Sequence, residues 1–482
     1  MLFNSIFFLF VFFPLSTGIY YLLPHRSRWG WLLLVSCYFY MGFIPEYLLI
    51  LAFTITIDYF AGLYIEKLAG KNKKYFLILS IISNIGILFF FKYFNFFNAN
   101  VVQLAQLLHW NYSIESLKLI LPIGLSFHTF QSLSYIIEVY RGNQKAERNY
   151  GIFALYVMFY PQLVAGPIER PQHMLHQFHE KHFLNFDRFF SGLNLIVWGL
   201  FKKVVIADRV SFFVNQIYGN VNNFYGAHLA FATFLFAIQI YCDFSGYSDM
   251  ARGLARTLGF ELMVNFNAPY FSRSISEFWR RWHISLSSWF KDYVYISLGG
   301  SRVVKWRWQL NLLITFLLSG LWHGANWTFI IWGGLNGLYL ALSIAMEKLR
   351  DQTTKIVKLN NLPLIKAWLQ TSFVFLLILF SWIFFRSTDL KQAGVITSKI
   401  FSTNWQFAKL LEYYYQQKAG LMISLFAIGV LFAVDYLHSN QIFKNRLKSN
   451  YINLKYFAIP VLLLTILLLG KFTNDQFIYF QF

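Results

Sequence analysis

Residues 317–327 read Leu-Leu-Ser-Gly-Leu-Trp-His-Gly-Ala-Asn-Trp and lie inside an apolar run that predicts a membrane-embedded segment. An imidazole at that depth has to be hydrogen-bonded or to face an internal cavity, because an unpaired polar group in hydrocarbon is costly. Gly320 and Gly324 allow other groups to approach His323, and Asn326 is predicted to lie on the same helical face and orient its ring. His323 is therefore a candidate reaction centre, since histidine exchanges protons near neutral pH; the alternative is a core histidine satisfied by a helix neighbour.

The composition predicts an all-α polytopic membrane protein. The 482 residues are 57% apolar and only 13% charged, whereas a soluble domain carries about 25% charged residues. We predict about 11–13 membrane segments, because apolar runs approach the roughly 18–20 residues that cross a bilayer. No repeat or linker divides the chain, so residues 1–482 are predicted to form a single membrane-embedded domain. The candidate segments are 1–23, 29–43, 46–66, 75–97, 118–138, 150–166, 190–212, 226–247, 309–329, 330–347, 368–385, 419–437 and 455–471.

The net charge of +20 lies largely in basic clusters between these segments. Such clusters are typical of cytoplasmic loops beside an anionic leaflet, which explains the charge without nucleic acid. The first three clusters fall in alternate loops, so the N-terminus is predicted to be extracytoplasmic, and the first run, without a basic leader, is predicted to be a retained helix. The clusters are Arg26 and Arg28; Lys67, Lys71, Lys73 and Lys74; Arg141, Lys145 and Arg148; and Lys444, Arg446 and Lys448.

Three polar stretches interrupt the apolar pattern. Residues 167–189 and 248–309 are too long for ordinary loops and too aromatic for disorder, so interfacial or re-entrant helices are predicted there. Residues 348–367 are rich in lysine and predict an exposed cytoplasmic connection. Residues 159–170 contain two prolines and a glycine, which predict a broken helix that shapes a cavity.

A basic aromatic motif stands at residues 277–287, Glu-Phe-Trp-Arg-Arg-Trp-His-Ile-Ser-Leu-Ser. On one helix Arg280 and His283 share a face, and Glu277 can pair with Arg280 or Arg281. One interpretation is an interfacial helix with arginines on lipid headgroups. The other is a site in which the arginines bind an anionic donor or fix His283.

A second motif, residues 239–250, places Asp243 one helical turn after Gln239. A carboxylate in a membrane segment is either functional or the hub of a hydrogen-bond network that ties helices together, and both interpretations stay open. No metal site is predicted. His173, His176, His179 and His182 recur at intervals of three, but no acidic or thiolate ligand stands at suitable spacing.

Taken together, the motifs resemble the membrane-bound O-acyltransferase (MBOAT) family, and specifically its alginate O-acetylation branch. The matching stretches are 160–162 with 166–168, 241–249, 278–287 and 320–324. The resemblance implies a cup-like helical bundle in the inner membrane of a bacterium, with the acyl donor entering from the cytoplasm and the acceptor hydroxyl approaching from outside. It also implies an extracytoplasmic acetyltransferase partner and an exopolysaccharide or peptidoglycan acceptor. The position of the principal catalytic histidine is matched by His323, and that of the second by His283.

The resemblance and the chemistry of ester formation lead to one mechanistic hypothesis. His323 acts as the base that deprotonates the acceptor hydroxyl, with His283 and Asn326 as orienting or charge-stabilising groups. Arg280 or Arg281 lies near the donor, which is expected to be acetyl-CoA or an acylated carrier, and no tightly bound cofactor is expected. Two further residues are assigned a supporting or substrate-binding role, namely Asp243 and Trp322.

Two other functions compete with acetyl transfer. A transporter of acyl groups or lipid-linked sugars would be expected to show internal duplication with paired broken helices, and the sequence has no such symmetry. D-alanyl transfer to teichoic acid, within the same family, remains an alternative.

Overall fold

A computed structural model describes residues 1–439, 459–472 and 477–478. Within these ranges the secondary structure is helical and contains no strand, which confirms the predicted all-α class. The first helices are α1 (Phe8–Leu22), α2 (His25–Met41), α3 (Tyr47–Lys67), α4 (Lys71–Leu107), α5 (Leu125–Arg141), α6 (Tyr150–Met158), α7 (Pro171–His179), α8 (Phe186–Tyr218) and α9 (Gly226–Leu258). They are followed by α10 (Ile275–Arg281), α11 (Ile284–Phe290), α12 (Lys305–His323), α13 (Trp327–Ala345), α14 (Glu347–Ile356), α15 (Pro363–Arg386), α16 (Leu390–Phe401), α17 (Phe407–Tyr415), α18 (Lys418–Ser439) and α19 (Ile459–Leu469).

Seven helices among the described residues are long and apolar enough to cross a membrane, by length and composition. They are α3, α4, α8, α9, α13, α15 and residues 418–437 of α18; the apolar helices α1 and α19 are shorter. A polytopic membrane protein is therefore confirmed. The basic cluster at 444–448 and the start of the predicted segment 455–471 lie outside the described residues.

Several predicted helix ends are wrong for identifiable reasons. The predicted segment 150–166 holds only α6, which ends at Met158, because the prolines at 161 and 167 lack the backbone donor that a helix needs. The predicted segment 118–138 becomes helical only at Leu125, after Gly124 in a left-handed conformation (φ 79°). The segment predicted to end at 247 continues to Leu258, so the first part of the polar stretch 248–309 belongs to α9.

The helices group into two compact units along the chain, residues 1–196 with 247–263 and residues 197–246 with 264–482. In the first unit, the buried Asp58 of α3 accepts hydrogen bonds from Ser80 Oγ (2.5 Å) and Asn84 Nδ2 (3.0 Å) of α4. A carboxylate in an apolar helix has to be satisfied in this way. The prediction of a single domain stays a prediction.

In the second unit, α12 and α13 form a hairpin whose backbones touch. A Cβ atom at Gly320 would lie 2.3 Å from the carbonyl oxygen of Phe329, and one at Gly333 would lie 2.2 Å from that of Phe316. Small residues allow such close approach of membrane helices. The hairpin therefore depends on Gly320 and Gly333, and it holds the end of α12 against the start of α13.

Candidate active site

His323 is the last residue of α12, at the turn of the hairpin. Gly324 is extended (φ −163°, ψ 146°) and Asn326 precedes the first turn of α13. The predicted helix through 309–329 is therefore interrupted at His323. Because the helix ends here, the His323 ring can face the turn between α12 and α13, a space that a further helical turn would fill.

Aromatic rings enclose His323, whose exposed fraction is 4%. Its ring centroid lies 4.7 Å from that of Trp322, 4.9 Å from that of Trp332 and 5.3 Å from that of Phe385. Trp332 in turn stacks on Trp382 with centroids 5.9 Å apart. Such a wall keeps water away and strengthens electrostatic interactions inside it.

The predicted shared helical face of Asn326 and His323 is wrong. The Oδ1 atom of Asn326 accepts a hydrogen bond from the backbone N–H of Thr328 (3.0 Å), and its Nδ2 atom donates to the carbonyl oxygen of Thr388 (2.8 Å). Asparagine is a preferred residue at helix N-termini because its short side chain satisfies the first free N–H groups. Asn326 therefore holds the turn of the hairpin, and any contribution to the position of His323 is indirect.

His283 also lies at a helix break, so the predicted continuous helix over 277–287 is wrong. The chain leaves α10 at Arg281 and begins α11 at Ile284, with His283 in the left-handed region (φ 43°, ψ 54°). A residue other than glycine in this region costs about 1–3 kcal/mol and is concentrated at functional sites. Arg280 and His283 consequently do not share a helical face.

Asn265 holds His283 in place, and the sequence analysis did not identify it. Its Oδ1 atom lies 3.1 Å from Nδ1 of His283 and accepts hydrogen bonds from the backbone N–H (3.2 Å) and the Oγ–H (3.0 Å) of Ser285. Its carbonyl oxygen accepts the N–H of Ile284 at 2.9 Å. The available signal was an asparagine placed directly between two apolar residues, Val264 and Phe266.

The His283 ring is 1% exposed and packs edge-on against Phe244 with centroids 4.5 Å apart. Burial lowers the pKa of His283 to about 3, so the ring is neutral at physiological pH. Trp322 connects the two histidines, with ring centroids 6.3 Å from His283 and 4.7 Å from His323. The structure thus brings together the two predicted catalytic residues and the predicted supporting residue Trp322.

The two arginines of α10 have different environments. Arg281 Nη2 lies 2.7 Å from Oε1 of Glu277, which resolves the choice that the spacing left open. Arg280 is exposed and donates through Nε to the carbonyl oxygen of Ser276 at 3.3 Å, and no described carboxylate forms an ion pair with it. Trp279 places α10 against the hairpin, with its ring centroid 5.7 Å from that of Trp332. An anion at this site would therefore meet Arg280 more readily than Arg281.

Asp243 belongs to a buried ionic network whose other charged members, Lys203 and Asp208, the sequence analysis did not identify. Lys203 Nζ lies 2.7 Å from Oδ1 of Asp243 and 2.8 Å from Oδ1 of Asp208. Asp243 Oδ2 accepts the N–H of Ile478 at 2.8 Å, and Lys202 Nζ donates to Ser245 Oγ at 2.9 Å. The geometry agrees with the interpretation of Asp243 as a hub that ties helices together. Charged residues inside the predicted apolar segment 190–212 were the signal.

The network is built on an irregular part of α8. Residues Phe201–Ala207 have π-helical hydrogen bonding, which inserts extra chain into a helix and is frequent at functional sites. Lys203 lies in this part, and Asp243 is followed by Phe244, the residue that packs on His283. The network therefore supports the wall of the site through the helix that carries Phe244.

The histidines at 173–182 engage separate partners in the first unit. His173 Nδ1 lies 2.7 Å from Glu169, His179 Nε2 lies 2.8 Å from Glu147, and His182 Nε2 lies 2.8 Å from the carbonyl oxygen of Gln177. The hydrogen bond with Glu169 raises the pKa of His173. The described residues contain no cluster of three or more potential metal ligands.

Comparison with known proteins shows similarity to acyl-transferring membrane enzymes over most of the chain. The model of the membrane-bound O-acyltransferase family matches residues 149–386. The chain is 40% identical over 417 residues to a probable alginate O-acetylase of Azotobacter vinelandii, which is 85% of this chain and 80% of that protein. It is 37% identical over 425 residues to a peptidoglycan O-acetyltransferase of Helicobacter pylori, covering 82% and 78% of the two chains. A teichoic acid D-alanyltransferase of Bacillus subtilis is 28% identical over 250 residues, which cover 47% of this chain and 60% of that protein.

Proposed function

The chain belongs to the membrane-bound O-acyltransferase family, and from this premise we propose that it moves acetyl groups across the membrane for O-acetylation of an extracytoplasmic polysaccharide, directly or through a partner protein. Membership makes the protein an O-acyltransferase and a multi-pass membrane protein. The proposal adds a cytoplasmic donor, either acetyl-CoA or an acylated carrier, and an extracytoplasmic acetyltransferase partner. The acceptor is of the alginate-like exopolysaccharide or peptidoglycan class. The inner membrane and an extracytoplasmic N-terminus belong to the same proposal.

The enclosed His323 is the observation that carries the proposal. Transfer of acetyl from a thioester to an alcohol requires removal of the hydroxyl proton as the carbonyl carbon is attacked, and a histidine is suited to this step. The C–O bond of the ester forms, the C–S bond breaks, and the proton passes through His323 to the leaving thiolate. The rings of Trp322, Trp332 and Phe385 limit access of water, which would otherwise hydrolyse the thioester.

The relatives support acetyl over D-alanyl as the transferred group. Identity to the proteins named for O-acetylation is 37–40% over more than four fifths of this chain. Identity to the D-alanyltransferase of Bacillus subtilis is 28% over 47% of the chain. We therefore propose acetyl transfer. Detection of alanyl esters would instead assign the protein to D-alanyl transfer.

The test is chemical analysis of cell-surface glycans from cells with and without this protein. Base-labile acetyl esters are expected on one polymer, to disappear on deletion and to return when the wild-type chain is supplied. Purified membranes given radiolabelled acetyl donor should form labelled ester. Alanyl esters, or labelled acetate that crosses the membrane without ester formation, would contradict the proposal.

Arg280 is proposed to bind the anionic part of the donor, and its neighbour provides a matched control. Replacing Arg280 with glutamine should raise the KM for acetyl-CoA roughly tenfold or more, because a hydrogen bond to a charged group contributes about 1.5–3 kcal/mol. Arg281→Gln should have a smaller effect on KM, since its guanidinium already pairs with Glu277. Initial rates in inverted membrane vesicles measure both. A larger KM increase for Arg281→Gln would contradict the assignment.

A further inference from the structure

We propose that Asn265 is a positioning residue that holds His283 in the tautomer with hydrogen on Nδ1, so that Nε2 is the basic nitrogen. The assignment of the tautomer depends only on the geometry around Asn265. Its catalytic consequence rests on the proposed acyl transfer.

The orientation of the Asn265 amide follows from its neighbours. The backbone N–H of Ser285 can only donate, so the Asn265 atom that it faces at 3.2 Å has to be the carbonyl oxygen. The hydroxyl of Ser285 donates to the same Oδ1 atom at 3.0 Å. A flipped amide would place an NH2 group against the N–H, which is unfavourable in a site where both residues are almost fully buried.

The same oxygen decides the protonation of His283. Because a carbonyl oxygen accepts and cannot donate, Nδ1 of His283 at 3.1 Å has to carry the hydrogen. In a neutral imidazole the other nitrogen, Nε2, then has the lone pair. Burial lowers the pKa of His283 to about 3, which keeps the ring in this neutral form.

Asn265 fixes the backbone of His283 as well as its ring. The carbonyl oxygen of Asn265 accepts the N–H of Ile284 at 2.9 Å, directly after the left-handed His283 (φ 43°). One residue thus binds three successive residues across a separation of 18 positions or more. The energetic cost of the left-handed backbone is offset by contacts that also determine where the imidazole points.

The charged groups on the elements packed around His283 are paired or, as with Arg280 of α10, exposed to solvent. On α10, Arg281 pairs with Glu277, and on α9, Asp243 pairs with Lys203. On α12, His323 is separated from His283 by the ring of Trp322. A carboxylate introduced at position 265 would therefore act mainly on His283, with three donors to stabilise its ionised form.

The tautomer is tested without reference to activity by ¹⁵N NMR of the imidazoles in the purified full-length protein. The His283 signals are identified by their loss in His283→Gln, and couplings to the ring protons distinguish the two nitrogens. The expected result is hydrogen on Nδ1, lost or mixed with the Nε2 tautomer in Asn265→Ala. Hydrogen on Nε2 in the wild type, or an unchanged tautomer in folded Asn265→Ala, would overturn the proposal.

The catalytic consequence is tested with Asn265→Asp, which preserves the shape of the side chain. A carboxylate beside Nδ1 raises the pKa of His283, so the variant should lose activity at the acidic end of its pH–rate profile and regain it as pH rises. Asn267→Asp, on an exposed residue two positions away, should keep the wild-type profile. Because protonation of the base His323 also slows the wild type at low pH, the comparison is between ratios: the rate at pH 8 divided by the rate at pH 5.5 should be at least tenfold larger in Asn265→Asp than in the wild type.

If Asn265→Asp loses the same fraction of activity at every pH, Asn265 only stabilises the backbone at the start of α11, and the proposed effect of Asn265 on His283 in catalysis is overturned. If the wild type forms no acetyl ester, the proposed function fails while the NMR result still decides the tautomer. The two failures are therefore distinguishable.

Discussion

Replacing His323 with alanine should reduce acyl transfer by roughly 10²–10⁴-fold while the protein still inserts into the membrane, because it removes the proposed general base. The imidazole is the reactive group inside a wall of three aromatic rings, so water has little room to take its place. His323→Gln keeps a polar side chain of similar length but cannot accept the proton, and it should be nearly as inactive. The rate of ester formation in membranes with equal amounts of protein measures the effect.

Folding and catalysis have to be separated in this experiment. Both variants should elute as the wild type does in size-exclusion chromatography, with His176→Gln, an exposed histidine of α7, as the matched control. Ester formation within a few-fold of the wild-type rate in either His323 variant would remove the role of His323 as base. If the His176→Gln control also loses activity, histidine substitution reduces activity without regard to position, and the loss in the His323 variants does not show that His323 is the base.

Much of the fold was predictable because membrane helices are determined by length and apolarity. The predicted segment 46–66 agrees with α3, 368–385 with α15 and 419–437 with residues 418–437 of α18. The errors lie where polar residues continue a helix or a break interrupts an apolar run. Hydropathy ended α9 too early because Asp249, Arg252 and Arg256 are polar, although their helical geometry is regular.

The geometry around the candidate site residues was not predictable from the sequence, and their catalytic roles stay predictions. The motifs marked both histidines, yet both were placed within continuous helices, and each lies at a helix break. Helical periodicity cannot reveal a left-handed residue such as His283, whose conformation depends on contacts with Asn265. Partners distant in sequence, such as Lys203 and Asp243, are equally invisible to spacing rules, even though lysine within an apolar run signals an internal partner.

The helix breaks at His283 and His323 have the same consequence for the position of the two side chains. A side chain within a membrane helix points sideways at a neighbour, whereas one at the end of a helix also faces a turn where irregular backbone is tolerated. Such backbone persists at membrane depth only inside protein or beside a cavity. Asn326 satisfies the turn after His323, and Asn265 satisfies the turn after His283. Two asparagines thus allow two histidines to occupy positions that regular helices would not provide.

Lys203→Met should destabilise the protein strongly, by roughly 3–5 kcal/mol, because it leaves Asp208 and Asp243 buried without their shared cation. The thermal unfolding midpoint in detergent, followed by tryptophan fluorescence, measures the change. Lys391→Met, on an exposed lysine of α16, should leave the midpoint almost unchanged.

The same network predicts a rescue. Combining Lys203→Met with Asp208→Asn and Asp243→Asn removes all three charges, so much of the lost stability should return, since the penalty comes from uncompensated charge and not from the absence of lysine itself. The amide at position 243 can still accept the N–H of Ile478. If Lys203→Met alone melts like the wild type, the network does not stabilise the fold. If the triple variant is less stable than the single one, the carboxylates matter for reasons other than their pairing with Lys203.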